Sequence, residues 1–258
     1  MSKGLFDLSG KVALITGGNG GIGLGFAQGI AKQGGEVCIW GRNEQKNQKA
    51  IKHLETFGTK VHMITCDVVD ESEVDSAFEE TLSVFGRVDG CFANAGVGGG
   101  GKFDELSAEQ WRRVMAVNLD GLFFTLRAAA RHMKARAEAG DMGGRLVGTS
   151  SIGAKLGMVG GEAYAGSKGA VLSIIKGLAA EYARYGVTAN SILPGHIETA
   201  MTTANYQREK FASAIMPRIP LRRWGSPEDF EGIAAYIMSD ASRYHTGDGF
   251  VIDGGFII

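Results

Sequence analysis

The chain has 258 residues, 44% of them hydrophobic and 21% charged, with no long polar tract, which excludes disorder and allows a sizeable core without disulfides or metal. Lys and Arg total 27 against 28 Asp and Glu, a balance that offers neither nucleic acid nor an anionic membrane surface an electrostatic foothold. The three scattered cysteines Cys38, Cys66 and Cys91 lie in apolar stretches that read as strands, so they are expected to be reduced core thiols of a cytoplasmic protein. The N-terminal apolar run is too short for a signal peptide or a membrane span, and the five histidines show no metal-ligand spacing, so a soluble, metal-free protein is expected.

In chain order, the first β-branched run covers residues 11–16 and leads into Gly17-Gly18-Asn19-Gly20-Gly21-Ile22-Gly23, then an amphipathic helix to about Gln33. Glycine at such a strand-to-helix turn lets main-chain N–H groups and the helix N-terminus approach a pyrophosphate closely. Gly17, Asn19, Gly21, Ile22 and Gly23 are therefore candidate cofactor contacts. A second strand at 36–40 ends without the acidic residue expected to bind a ribose 2′-OH, and Arg42 follows it. Its fork of donors suits a 2′-phosphate, which favours NADP(H) with NAD(H) as the alternative. The bland reading of Arg42 is a surface arginine opening a helix. After a third strand at 60–65, Asp67 and Val68 are assigned to the adenine end, although an Asp there also suits a turn. Asp70 with Glu73 opens the next helix.

A fourth strand at 88–93 runs into Asn94-Ala95-Gly96 and the tetraglycine 98–101, read as a mobile loop. Ser107 with Gln110 starts a long helix that carries Asn118, and the stretch 134–144 beyond it reads as a polar surface excursion without assigned chemistry. A fifth strand at 145–149 precedes Ser151, and the following helix, about 162–185, carries Tyr164 and Lys168 one turn apart on one face. A phenol titrates near ~10, so a neighbouring ammonium is needed to bring it into use as an acid–base group. A strand-end serine in the same crevice holds the reacting oxygen. The sixth strand, 187–193, leads into Pro194-Gly195, a variable segment at 200–222 with Met201, Tyr206, Phe211, Ile215 and Met216 follows, and Ser226-Pro227 opens another helix before a seventh strand at 250–253. Strand and helix alternate throughout, the pattern of one α/β domain spanning 1–258, a doubly wound parallel seven-stranded sheet with helices on both faces. Its cofactor part covers about 10–100 and its catalytic and substrate-loop part about 101–258.

Taken together, Thr16-Gly17-x-x-x-Gly21-x-Gly23, Asn94-Ala95-Gly96, Asn118 in Val-Asn-Leu, Ser151, Tyr164-x-x-x-Lys168, Pro194-Gly195-x-x-x-Thr199 and Asp253-Gly254-Gly255 resemble the short-chain dehydrogenase/reductase family over essentially the whole length. The resemblance implies that Tyr164 is the general acid/base and that Ser151 polarises the substrate oxygen. It implies that Lys168 lowers the Tyr164 pKa and holds the nicotinamide ribose, while Asn118 holds a proton-relay water. It further implies that Asn94, Ala95 and Gly96 lie beside the cofactor, that Pro194 and Gly195 flank it, and that Ile197 and Thr199 meet its carboxamide. Gly20 stands where many NADP-preferring members carry a basic residue, which leaves Arg42 to read the 2′-phosphate largely unaided. Asn118 also has a plain role as a polar residue bonded to backbone.

The expected activity is interconversion of a secondary alcohol and a ketone, the substrate being a 3-oxoacyl thioester or a small ketone, sugar or polyol. His196, Glu198 and Lys155 are loop residues able to meet polar groups. The alternatives are a non-catalytic cofactor-binding scaffold and a cofactor-retaining epimerase or dehydratase. The 162–185 helix is apolar around much of its circumference, with small Ala165, Gly166 and Gly169, so a homo-oligomer, dimer or tetramer, is expected.

Overall fold

The structure, a computed structural model, describes residues 4–203, 207 and 209–258, with the side chains of 210–212 left aside. Tyr206 and the Phe211 side chain thus lie outside the described residues.

Seven parallel strands form a single sheet: β1 (Val12–Thr16), β2 (Glu36–Gly41), β3 (Val61–Thr65), β4 (Gly90–Ala93), β5 (Gly144–Thr149), β6 (Val187–Pro194) and β7 (Gly249–Ile252). Their spatial order is β3-β2-β1-β4-β5-β6-β7. The order reverses between β1 and β4, and the crevice above that switch point is where open α/β sheets bind ligands.

The helices are α1 (Gly21–Lys32), α2 (Glu44–Leu54), α3 (Glu71–Phe85), α4 (Ala108–Met115), α5 (Gly121–Glu138), α6 (Glu162–Tyr182), α7 (Glu209–Ile215) and α8 (Glu231–Met238). Alternation along the central strands divides the core. Leu14, Cys38 and Trp40 pack on one face with residues of α3, α5 and α6, while Ala13, Ile15, Val37 and Ile39 pack on the other with α1, α2 and α8. Both faces are buried, which is why these strands read as continuous apolar runs. Truncating Leu14, fully buried, to Ala is expected to cost about 2–5 kcal/mol.

The expected helix starts form. Asp70 accepts from the N–H groups of Ser72 and Glu73, and Ser107 makes a full capping box with Gln110. The long helix expected after Ser107 is interrupted, however, by a wider π turn over Ala116–Asp120 that separates α4 from α5. Such turns displace one residue from the regular ladder and re-aim side chains, here that of Asn118. The polar stretch 134–144 also differs from the expected excursion. Its first half continues α5, and Arg136 is ion-paired with Asp89 at 3.2 Å and Asp141 at 2.8 Å, next to Arg87. The cluster ties the end of α5 to the chain entering β4.

All three cysteines are buried and free. Cys66 lies one residue past β3, not within it. Burial pushes the thiols of Cys38 and Cys66 up to about 12, and that of Cys91 further. No helix among the described residues is long and apolar enough to cross a membrane.

Candidate active site

A cavity of about 680 Å³ opens above the switch point. Its floor is built from strand ends laced together by three side chains. The Thr16 hydroxyl accepts from the N–H groups of Asn94 and Ala95, each at 3.0 Å. The Asn94 amide donates to Thr16 O at 3.0 Å, and its oxygen accepts from Thr149 Oγ1 at 3.2 Å. The ends of β1, β4 and β5 are thereby locked at one level.

The glycine turn forms the near wall. Gly17 takes φ +64°, a left-handed conformation favouring glycine. A Cβ on Gly23 would stand 2.3 Å from Gly17 O and 2.6 Å from Asn94 Nδ2, so Gly23 lies beneath the turn and lets α1 press against the sheet. Helix α1 has Gly20 at its N-cap position, with no side-chain cap and no acidic residue in its first turn. Its first N–H groups have no partner within the helix, which gives an anion-binding helix start beside the cavity.

The far wall carries Ser151, Tyr164 and Lys168. Ser151 follows β5, and its Oγ accepts from Gly153 N–H at 3.1 Å, which fixes the side chain. The Tyr164 phenol lines the same cavity, near enough for the Ser151 hydroxyl to lower its pKa. The neighbouring Ser150 instead donates to Lys168 O at 2.7 Å, anchoring α6 to β5. Lys168 donates from Nζ to Thr149 O at 2.7 Å and lies 5.8 Å from the Tyr164 ring centroid. Burial is the largest influence on both titrating groups. It raises the Tyr164 phenol above its ordinary value, an effect the Ser151 hydrogen bond offsets in part, and it lowers the Lys168 ammonium to about 8.

Asn118 is buried behind this wall. Its Oδ1 accepts from Val97 N–H at 2.8 Å, and its amide donates to Val97 O at 3.0 Å and Ser167 Oγ at 3.1 Å. It therefore ties the loop after β4 to α6, where the space around Gly96 is bounded by Asn118 and Lys168. On the roof, Pro194, Gly195, Ile197 and Thr199 line the cavity. Asp253 packs against Gly195 and accepts from the N–H groups of Gly255 and Ile257, so the terminal Asp-Gly-Gly supports the roof from outside.

The structure brings Gly17, Asn19, Gly21 and Ile22 of the turn into one cavity with Asn94, Ala95 and Gly96, with Ser151, Tyr164 and Lys168, and with the four roof residues. Arg42, Asp67, Val68, Gly23 and Asn118 are not on its wall. Arg42 is turned to Asp67 in an exposed ion pair at 3.5 Å, and Val68 is a buried packing residue against Gly121. His196 lies against the rings of Trp224 and Phe256, and burial lowers its pKa, while the Asp248 carboxyl is lowered chiefly by its His245 hydrogen bond and only slightly by Lys155.

Several lining residues were not singled out from sequence. Thr149, Ala200 and Thr202 are among them, as are Lys46, Lys49 and His53 on α2. The last three recur at one-turn spacing, a signal readable in the sequence but indistinguishable there from a solvated helix face. Among the described residues, no group of His, Cys, Asp and Glu is placed to hold a metal ion.

The cavity thus joins a glycine turn and an uncapped helix start at one end to a Ser–Tyr–Lys set at the other. Residues 17–257 match the family model described as enoyl-(acyl carrier protein) reductase. The chain is 34% identical over 254 residues to gluconate 5-dehydrogenase of Gluconobacter oxydans, covering 98% of this chain and 97% of that protein. It is also 34% identical to 3-oxoacyl-[acyl-carrier-protein] reductase FabG of Chlamydia pneumoniae, covering 96% and 97% of the two chains. Among solved structures, a gluconate 5-dehydrogenase from Burkholderia cenocepacia in complex with NADP and tartrate superposes with a TM-score of 0.91 at 34% identity, covering 98% and 97%.

Proposed function

Since the chain belongs to the short-chain dehydrogenase/reductase family, we propose that it is an NADP(H)-preferring oxidoreductase interconverting a secondary alcohol and a ketone. The observation that carries this reading is the convergence of Ser151, Tyr164 and Lys168 on the one cavity that also holds the glycine turn.

The residues present fit a nicotinamide dinucleotide. The turn at Gly17–Ile22 with the α1 N-terminus would hold the pyrophosphate, and Ile197 and Thr199 with Lys168 would hold the nicotinamide end. When bound, the cofactor supplies or takes up the hydride. The chain's own work is proton transfer. In the direction of reduction, Ser151 Oγ hydrogen-bonds the substrate oxygen and Tyr164 Oη donates its proton to that oxygen. Burial favours the protonated phenol, the form needed for this direction. The Lys168 ammonium stabilises the phenolate left behind. Oxidation of an alcohol runs the same transfers backwards. Asn118 acts as a positioning residue for the wall between Gly96 and α6.

The substrate belongs to one of two classes, a 3-oxoacyl thioester or a small ketone, sugar or polyol. The substrate contacts are assigned to the loops at 96–103 and 152–161 and to Ala200, Met201 and Thr202 on the cavity wall. We also propose a homo-oligomer, dimer or tetramer, formed through α6, where Gly166 and Gly169 leave open space and Leu172, Ile174 and Leu178 are only half-buried. A single species of monomer mass in sedimentation at micromolar concentration would overturn that. The buried, free cysteines support a cytoplasmic protein.

The test of the activity is nicotinamide absorbance change with NADPH and NADH across a panel of ketones, keto-sugar acids, polyols and 3-oxoacyl and enoyl thioesters. Turnover of carbonyl substrates supports the reading. Turnover confined to enoyl thioesters overturns the assignment of Tyr164 as proton donor to a carbonyl oxygen. Tight cofactor binding without turnover favours the scaffold alternative.

A further inference from the structure

The cavity continues beyond the glycine turn along α2, where Lys46, Lys49 and His53 form its wall. They recur on one face of the helix. His53 is already occupied, its ring nitrogen hydrogen-bonded with the Gln28 amide at 2.8 Å and its ring edge-on to Phe57. Lys46 and Lys49 are exposed, and neither makes an ion pair or hydrogen bond through its ammonium among the described residues. Glu44, the acid on the same helix, instead accepts from Gln48 at 3.2 Å.

Two further observations define the space these lysines face. A Cβ on Gly20, across the cavity, would meet nothing within 4 Å, so the volume between the start of α1 and α2 is open. The position of α2 is also fixed against the turn. Asn19 donates to Asn47 Oδ1 at 2.6 Å, and Asn47 donates to Gly41 O at 2.8 Å. The uncompensated charge is therefore held at the edge of the pyrophosphate cradle, next to the end of β2. Arg42, by contrast, lies off the cavity wall and already has a carboxylate partner in Asp67.

NADP(H) differs from NAD(H) by one phosphate dianion on the adenosine 2′-hydroxyl. Two unpaired ammonium groups on the wall beside this open space match that charge, whereas a single arginine already ion-paired with an aspartate does not. We propose that Lys46 and Lys49 together form the 2′-phosphate clamp of this protein and set its preference between the two cofactors. This inference rests on the nicotinamide-cofactor reading above.

The test measures dissociation constants by fluorescence titration for NADPH and NADH, and by calorimetry for adenosine 2′,5′-bisphosphate. It uses the full-length protein, Lys46→Gln, Lys49→Gln, the double variant, and Arg42→Gln. Both lysines are exposed on the helix surface, so the variants are expected to fold. Losing charge-assisted hydrogen bonds is expected to weaken NADPH and the bisphosphate on the order of tenfold or more in the double variant, with NADH unchanged within about twofold. Arg42→Gln is expected to cost less than the double lysine change. Gly20→Arg introduced into the double variant, where the backbone is extended at φ 175° and the space is open, is expected to recover most of the NADPH affinity.

An unchanged NADPH-to-NADH ratio in the double variant, or a loss carried by Arg42→Gln alone, would overturn the clamp and leave the cofactor reading intact. A parent protein that binds neither nucleotide would overturn both.

Discussion

The two ends of the cavity are built differently. At the cofactor end, the floor is made of strand ends, and Thr16, Asn94 and Thr149 cross-link three strands through side-chain hydrogen bonds. At the substrate end, the wall is loop. A Cβ on Gly98 would meet only Met201 Cγ, at 3.9 Å, and the loops at 96–103 and 152–161 meet through Gly101 N–H and Gly160 O at 2.9 Å. Rigid scaffold positions the chemistry, while segments with few anchoring contacts border the molecule to be recognised. Within one fold, the reaction is thus the part fixed by backbone geometry and the substrate the part left to loops.

The sharpest way to break this contrast is at Ser151, which belongs to the rigid side. Ser151→Ala removes both the hydroxyl beside Tyr164 on the cavity wall and the acceptor of Gly153 N–H, and is expected to lower kcat about 10²–10³-fold with cofactor affinity unchanged, as read by steady-state kinetics and nucleotide titration. An activity loss below about tenfold would count against it. Gly23→Ala forces a Cβ into Gly17 O and is expected to weaken nucleotide binding at least about tenfold by displacing the turn. Thr16→Val orphans the N–H groups of Asn94 and Ala95, each costing about 1–3 kcal/mol. That corresponds to a fall in Tm of roughly 4–12 °C for a protein of this size, measurable by calorimetry.

The pH dependence follows from the two buried groups. With Lys168 titrating at about 8 and the Tyr164 phenol held protonated to higher pH, the ammonium is present below pH about 8 and lost above it. The rate of ketone reduction is expected to hold below that pH and to fall through it, whereas a pH–rate profile flat from 7 to 9 would contradict the assignment. The smallest effect is expected on the loop side. Met201→Ala should change substrate KM on the order of tenfold or less and leave the dissociation constant of NADPH unmoved. A comparable effect on both would mean that the loop and cofactor ends are not separable.

The same contrast governs what was legible in the sequence. Parallel strands buried on both faces announce themselves as apolar runs, so the seven strands were read within a residue or two, although β4 starts two residues later, at Gly90. Residues whose backbone makes the site, such as Gly17 and Gly21, are legible because the turn requires them. Side chains whose direction depends on tertiary context are not. Arg42 and Asp67 were read as two cofactor contacts, and they face one another. Asn118 looked like a residue within one long helix, yet the π turn over Ala116–Asp120 aims it at Val97 and Ser167. The α2 lysines lay in a polar run whose solvated and cavity-facing sides share one composition, and only the packing of Asn47 against Asn19 tells which side faces in.

The central claim is that Tyr164 moves the proton in a site whose cofactor cradle stands independently of it. The most direct test is Tyr164→Phe, measured for both nucleotide affinity and turnover of the best carbonyl substrate. The account predicts NADPH binding within about twofold of the parent and turnover reduced about 10²–10⁴-fold. Turnover preserved at the parent level would contradict it.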